Sequence, residues 1–280
     1  MKTLILLFTC KDQLGIVARI SEVILALKGN IISLDQHTAN PSGGDFFMRV
    51  EFILGAGPAG KEQAEKDFQK VAADFDARFN LYDKNEKLRM GIMVSRPDHC
   101  LFEFLYMWRS GEWNVSIPFV ISNYKGHEET ARQHNIPFHF IPATKNERRE
   151  EEILGIVEEN SDFLVLARYM LVLSPQFLAS YGKDIINIHH GFLPSFRGAL
   201  PYKQALESGV KVIGATAHFV NEALDEGPII TQEVEQVSHK DTLSVLIKKG
   251  RNLEKRALAD AVSAYLSRRI MRHAGKTVVF

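Results

Sequence analysis

Within the first 82 positions, some segments have hydrophobic residues at strand spacing and others have them at helical spacing. A continuous apolar run of strand length covers 3–10, and apolar positions within 16–27 fall three and four residues apart, as in a helix packed on a sheet. Gly29 and Asn30 follow as a C-cap pair. The complete order, strand–helix–strand–strand–helix–strand, is that of a ferredoxin-like module. The remaining strands are predicted at 31–37, 46–54 and 79–82, the second helix at about 58–76, and a loop at 40–44.

A charged stretch at 83–89 lacks apolar periodicity and predicts a linker between two domains, at 1–82 and 90–280. Beyond it, strand-length apolar runs alternate with helical periodicity, which favours a doubly wound, mostly parallel sheet. The predicted fold class is α/β, with an N-terminal ferredoxin-like α+β module before that sheet. The predicted strands are 90–95, 115–121, 137–141, 163–167, 184–188, 212–220 and 229–237, and the predicted helices are about 100–109, 128–134, 146–159 and 243–271.

Charge balance narrows the classes of function. The chain has 34 basic and 34 acidic residues and a formal net charge of zero, whereas proteins that hold a nucleic-acid backbone carry a basic excess. We therefore expect no nucleic-acid partner. A local cluster at Arg268, Arg269 and Arg272 is interpreted as the solvated last turn of the terminal helix.

Cysteine usage and the N-terminus indicate the compartment. The two cysteines, Cys10 and Cys100, are too few for a disulfide framework or a cysteine metal cluster, which favours a reducing cytoplasm. The first apolar run is short and meets Lys11 and Asp12 at once. We expect a buried strand there, and neither a cleaved signal nor a membrane span.

The densest polar cluster, NIHHGFLP, lies at 187–194, where a predicted strand ends. Side chains alternate faces along a strand, so Asn187 and His189 point the same way. In a parallel sheet this end of the strand opens onto the ligand crevice. An amide and an imidazole there can stabilise an oxyanion and move protons. Alternatively, the pair caps the strand and satisfies the loop backbone, as buried polar groups commonly do.

Asp225 lies in the segment LDEGP at 224–228, just before the predicted strand 229–237. Asp, Gly and Pro are ordinary turn residues, so a purely structural role is open. A carboxylate close to His189 could instead orient the imidazole or accept a proton. The sequence alone leaves open whether Asp225 and His189 meet.

Two other kinds of chemistry are disfavoured. No G-x-S-x-G elbow of an α/β-type serine hydrolase is present. Adjacent His189 and His190 cannot both face one ion from a regular strand, and no H-E-x-x-H spacing occurs. We therefore expect acid–base chemistry without a metal or a cofactor.

Three segments in this order resemble the folate-dependent formyltransferase domain: LARYMLVLSP at 166–175, INIHHGFLPSFRGALPYKQA at 186–205 and GATAHFVNEALDEGPIITQE at 214–233. The resemblance implies that Asn187, His189 and Asp225 are catalytic. It also implies a folate pocket formed largely by backbone groups. The substrate-binding residues implied are Tyr169, Met170, Leu171, Val172, Leu173, His190, Asn221, Glu222, Ala223 and Leu224.

The N-terminal module resembles an ACT domain, through CKDQLGIVA at 10–18 and the pair Asn30-Ile31. An ACT-like module ahead of a formyltransferase-like domain resembles the formyltetrahydrofolate deformylase family. The resemblance implies hydrolysis of 10-formyltetrahydrofolate to tetrahydrofolate and formate, which supplies formate for one-carbon and purine metabolism. It also implies a small amino-acid effector, glycine or methionine, unless the module only assembles subunits. The residues implied for that regulatory site are Asp12, Gln13, Leu14, Gly15, Asn30 and Ile31.

Several features favour hydrolysis over transfer. A transformylase that holds a substrate phosphate uses a Gly-rich turn, but here the turn at 95–100 has no glycine and contains Asp98, which repels phosphate. The resemblance places Pro after the catalytic His of transferases, whereas this chain has His190. That side chain either holds the attacking water or packs against the pterin.

Two alternative functions remain open at this point. One is formyl transfer to an amine acceptor, and the other is a folate- or amino-acid-binding regulatory protein without turnover. Exposed sheet edges of ACT-like modules favour pairing between chains, so a homo-oligomer, dimer or tetramer, is expected.

Overall fold

A computed structural model describes residues 2–40, 43–55, 60–195 and 201–280. Parts of the predicted loop 40–44, of the predicted helix 58–76 and of the segment 186–205 lie outside the described residues. The chain forms two compact units. The first comprises Met1–Glu86, Ser267–His273 and Val278–Phe280, and the second comprises Lys87–Leu266 and Ala274–Thr277.

The first unit has the predicted strand–helix–strand–strand–helix–strand order. Its four-stranded antiparallel sheet has the order β2-β3-β1-β4, which is the ferredoxin-like arrangement. Its elements are β1 (Thr3–Lys11), α1 (Ile16–Ala26), β2 (Asn30–Thr38), β3 (Asp45–Ile53), α2 (Lys61–Asp74) and β4 (Arg78–Asp83).

Alternation along β1 explains the core of this unit. Leu4, Leu6 and Phe8 are each fully buried, and they belong to one cluster with Ile20 of α1 and Phe68 of α2. Successive strand residues face opposite sides, so every second residue of β1 packs under the two helices.

The second unit is built on an eight-stranded, mostly parallel sheet, and the predicted α/β class is confirmed. Its strands are β5 (Leu88–Val94), β6 (Val115–Ser116), β7 (Val120–Ser122), β8 (Phe138–Phe140), β9 (Phe163–Leu166), β10 (Ile185–His189), β11 (Val212–Phe219) and β12 (Ile229–Gln236). Its helices are α3 (His99–Arg109), α4 (Glu128–Gln133), α5 (Glu150–Asn160), α6 (Pro175–Tyr181), α7 (Pro201–Glu207) and α8 (Leu243–Leu266).

The strand order is β12-β11-β10-β9-β5-β7-β8, with β6 beside β5. Neighbouring strands from β10 to β8 run parallel, whereas β11 and β12 are antiparallel additions at one edge. The ends of β9 and β10 therefore open on the same side of the sheet, where ligands bind in such folds.

Two predictions for the first half of this unit are wrong. The single strand predicted at 115–121 is two short strands, because Pro118 between them has no N–H to donate to a ladder. The helix predicted at 146–159 begins only at Glu150. The sequence interpretation also missed α6, whose N-cap is Ser174: its Oγ accepts a hydrogen bond from the Phe177 N–H at 3.1 Å.

The predicted terminal helix 243–271 is too long, because α8 ends at Leu266. The chain continues as a hairpin of β13 (Ile270–His273) and β14 (Lys276–Val279). The turn that joins these strands has positive φ at Ala274 and Gly275. The interpretation of Arg268 as a solvated helical residue is also wrong. Its φ is 52°, and its guanidinium lies 4.1 Å from the Tyr82 ring centroid.

The hairpin residues of the first unit pack on the sheet face opposite its two helices. Met271 joins Ile5, Leu7 and Phe47 in one buried cluster. The assignment of all of 90–280 to one domain therefore differs from the compact units, which place Ser267–His273 with the first.

No helix within the described parts of the chain is both long enough and apolar enough to cross a membrane.

We predict that Gly91→Ala destabilises the second unit. Gly91 lies in the central strand β5, and an added Cβ would lie 2.5 Å from Phe119 Cζ and 2.6 Å from Leu164 Cδ2. Such overpacking lowers the free energy of unfolding by about 1–3 kcal/mol, measurable by urea titration. Gly155→Ala is the matched control, since no atom lies within 4 Å of its added Cβ. Equal stabilities of the two variants would contradict this account of the sheet.

Candidate active site

A cavity of about 740 Å³ opens in the second unit where β9 and β10 end. All three residues predicted as catalytic and all ten predicted as substrate-binding line it. Their chemical roles remain predictions, but the geometry places them around one space. The thirteen residues are Asn187, His189, Asp225, Tyr169, Met170, Leu171, Val172, Leu173, His190, Asn221, Glu222, Ala223 and Leu224.

Strand β10 carries Asn187 and His189 on one face. It lies between the parallel β9 and the antiparallel β11, so Asn187 stands opposite His218 and His189 opposite Thr216. His189 is only 4% exposed. Hydrogen bonding on both strand edges fixes the backbone that aims the two side chains at the cavity.

Thr216 anchors the loop that leaves β10. Its Oγ1 donates to the Gly191 carbonyl at 2.9 Å and accepts from the Leu193 N–H at 3.1 Å. Gln232 Nε2 lies 3.1 Å from the same oxygen and donates to the Leu193 carbonyl at 2.9 Å. Side chains of β11 and β12 thus fix the backbone of the segment HHGFLP where the chain leaves β10.

The turn between β11 and β12 presents Asp225 to the end of β10. Asp225 has a φ of 57°, in the left-handed region that Asp tolerates better than most residues. Gly227 is required two residues later, because a Cβ there would lie 1.7 Å from the Phe219 carbonyl oxygen. The turn closes through the Phe219 N–H, which donates to the Pro228 carbonyl at 2.9 Å. The turn chemistry and the carboxylate's position therefore come from the same few residues.

The two segments meet at His189 and Asp225. His189 Nδ1 lies 3.1 Å from Asp225 Oδ2. The second imidazole nitrogen, Nε2, is buried and has no hydrogen-bond partner among the described residues. One ring nitrogen is therefore fixed by a carboxylate, which leaves the other for a ligand in the cavity.

Asp225 is held as a carboxylate. Burial alone raises the pKa of its carboxyl group, but the hydrogen bonds and charges of His189 and His218 outweigh burial and place the pKa well below its ordinary value. At neutral pH the group therefore orients the His189 ring as an anion.

His218 is a site residue that the sequence interpretation missed. It is 2% exposed, and its Nε2 lies 3.2 Å from Asn187 Nδ2. Its Nδ1 lies 2.9 Å from the Phe219 carbonyl oxygen, and its Nε2 also lies 3.7 Å from Asp225 Oδ1. His218 thereby fixes the orientation of the Asn187 amide. The antiparallel register that joins them could not be inferred from the sequence.

Known proteins match the sequence of this chain. The formyl transferase family model matches residues 88–262. The chain is 44% identical to formyltetrahydrofolate deformylase 1, mitochondrial, of Arabidopsis thaliana, over 98% of this chain and 87% of that protein. It is 44% identical to formyltetrahydrofolate deformylase of Bacillus subtilis, over 98% of this chain and 93% of that protein. The chain belongs to the formyltetrahydrofolate deformylase family.

A solved structure of a family member agrees along the whole chain. The formyltetrahydrofolate deformylase from Pseudomonas syringae pv. tomato superposes with a TM-score of 0.93 at 39% identity, and the alignment covers 100% of this chain and 95% of that one. Both compact units are therefore features shared with this family member.

A second group of polar side chains lines the cavity on the side of His190, and the sequence interpretation missed it. It consists of Arg168, Tyr202 and Glu254, together with His99. The His190 ring centroid lies 5.4 Å from that of His189 and 6.1 Å from that of Tyr202. His190 therefore joins the two groups.

Within the described residues, His99, Cys100 and Glu254 form one group with metal-ligand atoms within 4.8 Å of one another. The Arg168 guanidinium already lies 3.1 Å from the Glu254 carboxylate and would repel a cation. Burial and the nearby carboxylate also raise the pKa of the Cys100 thiol well above its ordinary value, so the thiol is a poor metal ligand. The group is better described as an ion-paired cluster than as a metal centre.

The residues predicted as regulatory lie in the first unit, in two segments. Asp12, Gln13, Leu14 and Gly15 precede α1, whereas Asn30 and Ile31 begin β2 after α1. Helix α1 has 11 residues, so the segments are about 16 Å apart along its axis. A single binding site formed by both segments would therefore require a second chain.

We predict that Asp225→Asn lowers the free energy of unfolding at neutral pH by about 1–3 kcal/mol, because it removes a charge-assisted hydrogen bond. The folded-state pKa of Asp225 lies below its unfolded value. The carboxylate's contribution is therefore complete above about pH 4 to 5 and is lost as the pH falls toward the folded pKa.

The measurement compares the melting temperatures of wild type and Asp225→Asn from pH 7 to pH 3. The difference should stay constant down to about pH 5 and narrow below about pH 4. A difference that widened with acid would contradict the ionised, ion-paired carboxylate.

Proposed function

We propose that this chain hydrolyses 10-formyltetrahydrofolate to tetrahydrofolate and formate, with Asn187, His189 and Asp225 as the catalytic residues. Membership of the deformylase family supports the reaction. The observation that carries the assignment of residues is the 3.1 Å contact between His189 Nδ1 and Asp225 Oδ2, which leaves the buried Nε2 for substrate.

The pterin end of the folate binds between two segments that line the cavity. Residues 169–173 follow β9, and residues 221–224 lead into the turn that carries Asp225. Met170, Val172 and Leu224 are about half exposed at 48%, 52% and 60%, which offers apolar contact to a flat ring, while backbone groups of the segments recognise its polar edge.

Hydrolysis begins when water attacks the formyl carbon. A carbon–oxygen bond forms, and the electron pair of the carbonyl moves to its oxygen. The Asn187 amide and the protonated His189 ring, through Nε2, stabilise this oxyanion. Asp225 orients the water or accepts its proton.

Collapse of the tetrahedral intermediate completes the reaction. The bond from carbon to N10 breaks, its electron pair remains on N10, and the proton lost by the attacking water is transferred to that nitrogen. Formate and tetrahydrofolate leave. These steps balance with water as the single co-reactant, and we propose that neither a metal nor a cofactor takes part.

The turn before α3 favours water over a phosphate-bearing amine as the acceptor. The turn at 95–100 has no glycine. Asp98 occupies the N-cap of α3, where its negative charge opposes a phosphate. His190 stands at the catalytic end of the cavity and holds the attacking water.

We also propose that the first unit, formed mainly by 1–82, is an ACT-like regulatory domain, and that the second unit, formed mainly by 90–266, is the catalytic domain, with the connection between them within 83–89. Glycine or methionine is its effector, and the chain is a cytoplasmic homo-oligomer, a dimer or tetramer. The edge position of β2 and the nearly complete exposure of Leu14, at 98%, support a surface that pairs with a second chain.

The test incubates purified protein with 10-formyltetrahydrofolate and no other substrate, and quantifies formate and tetrahydrofolate. We expect the two products in equal amounts. Asn187→Ala and Asp225→Asn should each lower kcat by at least about 100-fold while the protein stays folded. Asp74→Asn, an exposed carboxylate that pairs with Arg19, is the matched control and should retain wild-type turnover.

Turnover that appears only after an amine acceptor is added would assign the chain to formyl transfer. Absence of turnover under both conditions would favour a binding protein. Near-normal kcat in folded Asn187→Ala and Asp225→Asn would refute the catalytic assignments while leaving the reaction intact.

A further inference from the structure

Glu254 is a buried carboxylate with three partners, and the catalytic steps above do not use it. It lies on α8 and is 2% exposed. Its Oε2 lies 2.8 Å from His99 Nε2 and 3.1 Å from Arg168 Nε, and its Oε1 accepts the Tyr202 hydroxyl at 2.7 Å. Burial raises the pKa of Glu254, but these partners outweigh it, so the pKa lies below its ordinary value and the group is charged.

The partners of Glu254 come from separate parts of the second unit. Arg168 follows β9, His99 begins α3, and Tyr202 belongs to α7. All of them line the same cavity as the catalytic residues. One carboxylate therefore contacts three cavity-lining side chains from separate elements, His99 and Tyr202 through hydrogen bonds and Arg168 as an ion pair.

The backbone conformation of Arg168 also indicates that the surrounding structure fixes its side chain in one place. Its φ is 64°, in the left-handed region that is unfavourable for a residue with a Cβ. Ser95 holds this conformation from both sides: its N–H donates to the Arg168 carbonyl at 3.2 Å, and its Oγ accepts from the Met170 N–H at 3.0 Å. Such strain persists where the surrounding structure needs the side chain in one place.

Tyr202 is confined from a second direction. A Cβ at Gly250, one turn before Glu254 on α8, would lie 2.1 Å from Tyr202 Cζ, so the ring packs directly on the helix backbone. Its hydroxyl is bound by Glu254 and its ring meets His190 edge-on at 6.1 Å. The position of the Tyr202 ring, and with it the contact to His190, therefore depends on α8.

His190 is the residue on which this cluster acts. Burial and the Arg168 charge lower its pKa to about 4, with Glu254 and Asp225 opposing and His189 adding to the shift. The ring is therefore neutral at neutral pH and keeps one unprotonated nitrogen, which can accept a hydrogen bond from water.

We infer that Glu254 is a positioning residue for hydrolysis: by fixing Arg168 and Tyr202 it holds His190 where its ring orients the attacking water beside His189. This inference rests on the proposed deformylase reaction. Glu254 is buried and bound by His99, Arg168 and Tyr202, so its effect on the rate passes through His190.

The first test is Glu254→Gln in the full chain. Because a small displacement of an orienting group lowers the rate sharply, we expect kcat to fall by about 10- to 100-fold. The KM for 10-formyltetrahydrofolate should change by less than about threefold, since the partners of Glu254 (His99, Arg168 and Tyr202) lie outside the segments 169–173 and 221–224 proposed to bind the pterin. Glu103→Gln is the matched control and should retain wild-type kcat: Glu103 pairs with Lys255, the neighbour of Glu254, but both of these side chains are about one-third exposed.

Tyr202→Phe is the second variant, and it does not depend on the stability of Glu254→Gln. It removes the hydroxyl that binds Glu254 Oε1 but keeps the ring against His190. We expect the same direction of change, a lower kcat with little change in KM. Wild-type kcat in both Glu254→Gln and Tyr202→Phe would overturn the inference.

A double-mutant cycle with His190→Ala separates positioning from general structural damage. If Glu254 acts through His190, Glu254→Gln or Tyr202→Phe should reduce kcat in wild type but by less than about twofold in the His190→Ala background. Fully multiplicative losses would overturn the inference. A wild-type protein that released no formate would instead refute the proposed function itself.

Discussion

The contact of 3.1 Å between His189 Nδ1 and Asp225 Oδ2 is the constraint on which the site depends. It joins the end of a parallel strand to a turn between two antiparallel strands, so both parts of the sheet must be in register for it to form. Thr216 anchors one side of the contact, and Gly227 permits the close turn on the other. The mixed sheet is therefore a requirement of the chemistry, since an entirely parallel sheet would not bring this turn to β10.

The sequence predicted those elements whose signals are local. The periodicity of 16–27 and the apolar run 163–167 correspond closely to α1 and β9, because burial against one neighbouring layer imposes a period that can be counted. Elements that depend on distant partners were missed or misplaced. The end of α8 is one example: Arg49 donates hydrogen bonds to the carbonyls of Ser267 and Arg268, more than 200 residues along the chain.

The site residues show the same difference between local signals and distant partners. Asn187 and His189 could be proposed from strand alternation, and their pairing with Asp225 was implied by a family resemblance rather than by spacing. Glu254 could not be found in this way, because it sits on an amphipathic helix where a solvated glutamate is the ordinary expectation. Its partner His99 is 155 residues away, and only the fold brings the two together. Buried charges of this kind are paired, and the pairing is a tertiary property.

The central claim is that water, activated beside His189 and Asp225, attacks the formyl carbon. The most direct measurement is turnover of 10-formyltetrahydrofolate in water enriched in oxygen-18, with the isotopic composition of the released formate determined by mass spectrometry. The account predicts that each formate carries one oxygen from solvent water, at the enrichment of the solvent, alongside an equal amount of tetrahydrofolate. Formate without solvent oxygen, or loss of the formyl group without formate, would contradict it.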